Sequence, residues 1–131
     1  MNTFTWYAEL KKPSWAPPSW VFGPAWTFLY ILIAISFGRV FISAWSGEIP
    51  SIIALPFILN LIFNFAFSPI QFGMQNNALA AVDCICILIT LIFATVIIFP
   101  IIPFVAYMQI PYLLWVSFAT VLQLTVTYLN R

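Results

Sequence analysis

Four long apolar runs, separated by short breaks, constrain this chain more than any other feature. They are Trp20–Trp45, interrupted only by Arg39; Ile49–Phe72; Ala78–Phe99, with Asp83 near its start; and Pro103–Leu129, with Pro111 inside it. A membrane-spanning helix needs about 20 mostly apolar residues, so each run is long enough to cross a bilayer. The breaks are Ser46-Gly47-Glu48, Gly73-Met74-Gln75-Asn76-Asn77 and the Pro100 to Pro103 corner, all with turn chemistry. Short breaks make successive helices antiparallel neighbours. The expectation is an all-α, integral membrane helical bundle forming one domain over residues 1–131. Its four transmembrane helices fall at roughly 19–45, 49–72, 78–99 and 104–128.

Composition closes off the alternatives. Hydrophobic residues make up 64% of the chain and charged ones 5%, against about 25% charged in an ordinary soluble domain. So few polar side chains cannot cover a soluble surface, and disorder requires low hydrophobicity and high charge. Four basic residues are too few for a nucleic-acid interface, so the expected partners are membrane lipid and an apolar small molecule. There is no His, which removes an imidazole base and His-ligated metal. Cys84 and Cys86 sit about 200° apart around a helix and read as apolar filler. No metal and no cofactor is expected.

Residues 1–19 differ from the rest. Thr3 to Leu10 fits a short interfacial helix, and Pro13 to Pro18 reads as an extended, rigid loop. Lys11 and Lys12 follow the first short apolar stretch, which is not the order of a signal peptide. Four spans put both termini on one side. Lys11, Lys12 and Arg131 share that side and only Arg39 lies toward the other, so a multi-pass protein with both termini cytoplasmic is expected. Arg39, near a helix end, reads as snorkelling toward the far interface.

The second run carries Asn60, Asn64, Phe67 and Gln71 at spacings of four, three and four, one strip about 60° wide on a helix. Amides facing lipid are costly, so the strip should face the bundle interior. Two readings stand there: interhelical hydrogen bonding and contact with a ligand. The last run offers a facing strip of Trp115, Ala119, Leu122 and Val126. In the first run Trp26 and Tyr30 stack at i, i+4. Trp6, Trp15 and Trp45 lie near span ends and read as interface anchors; Trp26 and Trp115 read as interior. An interior of indoles, phenyls and amides suits a flat, largely apolar ligand with a few polar edges. Asp83 reads first as an acid favoured by a helix N-terminus, and second as a proton-coupling carboxylate.

Several stretches together resemble the TspO/MBR family, the tryptophan-rich sensory proteins that include the mitochondrial translocator protein. They are Trp6-Tyr7, Lys12-Pro13-Ser14-Trp15-Ala16-Pro17-Pro18, Val21-Phe22-Gly23-Pro24-Ala25-Trp26-Thr27, Asn64-Phe65-Ala66-Phe67-Ser68-Pro69 and Pro111-Tyr112-Leu113-Leu114-Trp115-Val116-Ser117-Phe118-Ala119-Thr120. The resemblance implies a compact, often dimeric, helical bundle that binds porphyrins and other flat hydrophobic ligands. It also implies, for some members, light-dependent breakdown of protoporphyrin. The ligand pocket it implies is Tyr7, Pro17, Trp26, Asn60, Asn64, Phe67, Trp115 and Ala119, with Trp26 and Trp115 tied to any porphyrin chemistry.

Three departures accompany the resemblance. The family has five spans and this chain four, beginning where the family's first loop should be. Phe67 stands where many members have Trp. Leu124 stands where the family's sterol-motif Tyr falls, and Tyr128 restores a loose apolar–Tyr–basic pattern with Arg131. The combined reading is a membrane receptor for tetrapyrroles and similar flat ligands. Trp26 and Trp115 bracket the ring, Asn60 and Asn64 meet its polar edge, and Lys11 or Lys12 meets its propionates under a Pro13–Pro18 lid. The alternative is a small proton-coupled transporter using Asp83.

Overall fold

The computed structural model describes residues 10, 13–16, 21–74 and 76–130, with the backbone alone at Phe22, Ser68, Gln71 and Phe72. The described regular structure is helical: α1 (Phe22–Trp45), α2 (Ala54–Ser68), α3 (Asn77–Ile98), α4 (Pro103–Met108) and α5 (Ile110–Leu129). α1 ends where Gly47 adopts φ 83°. The Glu48 N–H then reaches the Ser43 carbonyl at 3.0 Å and the Gly47 N–H that of Ala44 at 3.3 Å. This six-to-one and five-to-two pairing satisfies carbonyls that a helix end leaves open. The Arg39 side chain runs to the same end, its Nη1 3.5 Å from Glu48 Oε2, as a snorkelling cation would.

Among the described residues three helical stretches are long and apolar enough to cross a membrane: Gly23–Trp45, Asn77–Ile98 and Pro103–Leu129. The second run departs from the expectation of four such helices, being a shorter apolar helix, Ser51–Phe67. Its reason is local. Ser51–Ile53 winds as a tighter 3-10 turn and Pro69–Gly73 as a wider π turn. That leaves 15 residues of α-helix, a rise of about 22 Å against a hydrocarbon core of about 30 Å. Pro69 has no N–H to continue the ladder, and the Met74 N–H bonds the Pro69 carbonyl at 2.9 Å in the π register.

The last run is interrupted at Gln109. Pro111 lacks an N–H, and the Gln109 N–H turns to the Ala106 carbonyl at 3.1 Å. The Val105 carbonyl is thereby released from the ladder, and the Gln109 side chain donates Nε2–H to it at 3.0 Å. Gln109 is 1% exposed, so its amide replaces a backbone bond that water cannot supply. Elsewhere, hydroxyls in the helices bond back one turn, as Ser36 to Leu32 at 2.7 Å and Thr120 to Val116 at 2.7 Å. Such bonding keeps polar side chains harmless in apolar surroundings.

α3 packs along α2 on one side and α5 on the other, while α1 meets α4 and barely touches α2. The core gathers Leu29, Ile33, Phe37 and Val40 of α1 with Ile87, Leu91, Ala94 and Ile98 of α3. The Phe37 and Phe57 rings meet edge-on at 4.9 Å. Buried alanines, among them Ala80, Ala81 and Ala94, let backbones approach closely, as in membrane bundles. The outer surface is apolar: Phe28, Ile42, Ile62, Phe93 and Leu114 are all exposed. Trp45 is 92% exposed at the end of α1, a position open to the membrane interface.

The N-terminal loop is not extended where it is described. The Ala16 N–H bonds the Pro13 carbonyl at 3.1 Å, closing a turn over Ser14 and Trp15. Only the residue before each proline is barred from helical angles, which leaves Ser14 and Trp15 free to turn. The expected Thr3–Leu10 helix lies outside the described residues, apart from Leu10.

Candidate functional site

α2 presents Asn60 and Asn64 one turn apart, 0% and 5% exposed. The strip therefore faces the interior, as its spacing required. Between the two amides stands Tyr112, the first residue after the Gln109–Pro111 break, itself fully buried. Its hydroxyl donates to Asn60 Oδ1 at 2.9 Å and accepts from Asn64 Nδ2 at 2.6 Å. Asn60 Nδ2 donates on to the Ile87 carbonyl at 3.0 Å and to Thr90 Oγ1 at 3.2 Å. At the other end, the Tyr30 hydroxyl donates to Asn64 Oδ1 at 3.1 Å. One polar chain thus runs Tyr30, Asn64, Tyr112, Asn60, Thr90 through α1, α2, α5 and α3.

Both amide protons of Asn60 are engaged within the bundle. Asn64 uses one of its two, since an amide nitrogen carries two donors. The interhelical reading of this strip thus has its partners in place, and Tyr112 is the member that spacing along α2 could not reveal. A signal existed in the last run. A Tyr inside an apolar span carries a hydroxyl that needs a partner, and two amides waited on another helix.

An aromatic wall stands beside the chain. Trp26 and Tyr30 stack at 5.5 Å with 33° between planes, as i, i+4 spacing implied. Trp26 meets Trp115 edge-on at 6.4 Å and 88°, and Tyr112 edge-on at 6.5 Å. Trp115 packs on Phe118 at 5.8 Å, and Trp15 from the N-terminal turn meets Phe118 edge-on at 5.7 Å. Trp15, expected only as an interface anchor, thus also ties the loop to α5. Centroid separations of 4.5–7 Å and edge-on angles are the favoured aromatic geometry.

Of the expected site residues, the structure brings Trp26, Asn60, Asn64 and Trp115 together around Tyr112. Phe67 is half-buried and packs against the core. Ala119 lies one turn beyond Trp115 and is half-buried; Leu122 and Val126 further along that strip are core. Tyr7, Pro17, Lys11 and Lys12 lie outside the described residues, as does the Gln71 side chain. Asp83 departs from the helix-terminus reading. Asn76 caps α3, accepting the Leu79 N–H at 3.0 Å, whereas Asp83 sits two turns inside, 6% exposed, with no hydrogen-bond partner on Oδ2. Among the described residues no group of three His, Cys, Asp or Glu could hold a metal.

Fold and site define a small, all-helical membrane protein whose interior is built from indoles, tyrosines and amides. The chain belongs to the TspO/MBR family, matching it over residues 1–129. It is 40% identical over 126 residues to the tryptophan-rich protein TspO of Bacillus cereus, covering 96% of this chain and 81% of that one. It is 36% identical over 120 residues to the human translocator protein, covering 89% and 70%. It is 35% identical over 127 residues to a tryptophan-rich sensory protein of Cereibacter sphaeroides, covering 95% and 77%.

Proposed function

We propose that this chain is a membrane receptor for porphyrins and similar flat, largely apolar ligands, bound against the indoles of Trp26 and Trp115. The observation that carries the reading is the edge-on meeting of these two indoles from different helices, extended by Tyr30, Phe118 and Trp15. A wall of π faces favours a planar aromatic ring over a branched apolar one. The relatives named tryptophan-rich sensory protein and translocator protein support a receptor or transport role in a membrane. Asn60 holds the wall in place through Tyr112, and the second Asn64 amide proton is the donor available to a ligand's polar edge.

Titration of protoporphyrin IX into the protein in detergent or nanodiscs, followed by tryptophan fluorescence, tests this. Saturable quenching that is lost in a Trp26→Ala, Trp115→Ala double variant of unchanged helicity is expected. Quenching that never saturates removes the reading. Illuminating the same samples separates simple binding from breakdown, because only breakdown removes the porphyrin absorption band. The second reading, a proton-coupled transporter, draws on the buried Oδ2 of Asp83, since an ionisable residue inside a span marks a functional position. Its test is ligand uptake into vesicles driven by a pH gradient and abolished by Asp83→Asn.

A further inference from the structure

Asp83 stands on the strip of α3 that faces α2. Residues 83, 87 and 90 fall at spacings of four and three, within about 60° around the helix. Ile87 and Thr90 on that strip take the amide protons of Asn60. α2 and α3 run antiparallel across the short break at residues 74–76. One turn back along α3 from Ile87, about 6 Å, therefore matches one turn on along α2 from Asn60. This sets Asp83 level with Asn64 and Phe67, just before the π turn at Pro69–Gly73, which also packs on α3. Such π turns recur at functional positions in helices.

Asp83 is 6% exposed, and its Oδ2 has no hydrogen-bond partner. An ionised carboxylate only accepts hydrogen bonds, and inside a helix the N–H groups that could donate are spent on the backbone ladder. Among the described residues the cation is Arg39, and it pairs with Glu48 at the far end of α1. α2 and its π turn contain no ionisable side chain. The hydroxyls of Tyr30 and Tyr112 are turned to Asn64 and Asn60. Tyr107 of α4 and Tyr128 of α5 are exposed, and the next residue on α3 is the buried thiol of Cys84. A neutral acid has what the carboxylate lacks. Its O–H is a donor, and helix carbonyls keep a spare lone pair, which Ser36, Thr95 and Thr120 use one turn back. Burying an unpaired charge costs far more than burying a hydrogen-bonded neutral group.

We propose that Asp83 is a proton-binding site that latches α2 against α3. With the proton on, the carboxyl is neutral and the seam closes at the level of Asn64 and Phe67. With the proton lost, a bare acceptor is left among spent donors, and α2 parts from α3 there to let water reach it. The closed seam is thus favoured at low pH and given up as pH rises through the ionisation of Asp83. The proton acts on the end of the polar chain that carries Asn64. The latch needs no transported ligand, and it stands whether or not porphyrin binds at the indoles.

The test places the 131-residue chain in nanodiscs. Infrared spectra at neutral pH should show a protonated-carboxyl C=O band that Asp83→Asn removes and Glu48→Gln retains. Amide exchange, corrected for its intrinsic dependence on pH, should quicken over residues 60–68 as pH rises past the loss of that band. The limit for one proton is about tenfold per pH unit. Asp83→Asn and Asp83→Leu have no proton to lose, so exchange in them should stay flat, while Glu48→Gln follows the parent. Melting curves establish which variants are folded, and the parent's own band and pH response decide the case if neither Asp83 variant is. A band that is missing, exchange over residues 60–68 that ignores pH, or a pH response that persists in a folded Asp83 variant would overturn the proposal. So would protection that grows with sodium concentration, which assigns the carboxylate to a bound cation.

Discussion

Tyr112→Phe removes one oxygen atom and leaves Asn60 Oδ1 and Asn64 Nδ2 buried without the partner that joins them. Stranding buried polar groups costs about 1–3 kcal/mol, although hydrogen bonds in membrane bundles average about 0.6 kcal/mol when both partners can find others. A fall in Tm for Tyr112→Phe is therefore expected, larger than that for Tyr30→Phe, because Tyr112 is fully buried and Tyr30 is 40% exposed. Equal melting of the two variants would show that the network does not bind the helices together. Ala119→Leu makes a separate forecast at the site. The added bulk beside Trp115 should weaken porphyrin affinity while the melt stays within about 1 kcal/mol of the parent. Unchanged affinity places the ligand elsewhere. Trp115→Phe keeps apolar volume but removes the readily oxidised indole, so binding should survive better than any light-driven loss of porphyrin.

Single helices show where spacing along a sequence suffices and where it fails. The apolar runs located the three long apolar stretches and the shorter α2, because run length and turn residues are local properties. The Trp26–Tyr30 stack and the inward Asn60–Asn64 strip followed from helical phase alone. What one helix cannot disclose is its partner across the bundle. Tyr112 therefore went unassigned, and so did the role of Thr90 as acceptor for Asn60. The break at Gln109 was hidden for another reason: Pro111 was visible, but the side chain that replaces the lost backbone bond is recognised only in three dimensions. That repair is testable. Gln109→Leu keeps the volume and removes the donor to the Val105 carbonyl, and a loss of about 1–2 kcal/mol is expected, with faster amide exchange around residues 105–113. Gly47→Ala probes the end of α1. Nothing lies within 4 Å of the new Cβ, so only the left-handed backbone resists, by about 1 kcal/mol. A melt unchanged by Gly47→Ala would mean that the turn relaxes to negative φ.

At the scale of the whole molecule, the number of crossings decides where the termini lie, and α2 is the element on which that number depends. Among the described residues three helical stretches have the length and hydropathy of spans. α2 reaches across only if its 3-10 and π ends count toward the path, giving 23 residues from Ser51 to Gly73. Two observations favour a full crossing. α2 packs along α3 and is continuous with the π turn that also meets α3, and its outward residues Ile58, Ile62 and Phe65 are exposed apolar side chains over two turns. Four crossings place both ends of residues 1–131 together. The sequence positions of Lys11, Lys12 and Arg131, set against that of Arg39, then predict by the positive-inside rule that both termini are cytoplasmic. Reporter fusions after Arg131 and before Met1 should both read cytoplasmic. Opposite readings would mean that α2 enters the membrane and returns, leaving three crossings. Reversing the charges at Lys11 and Lys12 to Glu weakens the only basic pair, and a mixed or inverted topology is expected from that variant. An orientation unmoved by it would show that the basic residues do not set the topology of this bundle.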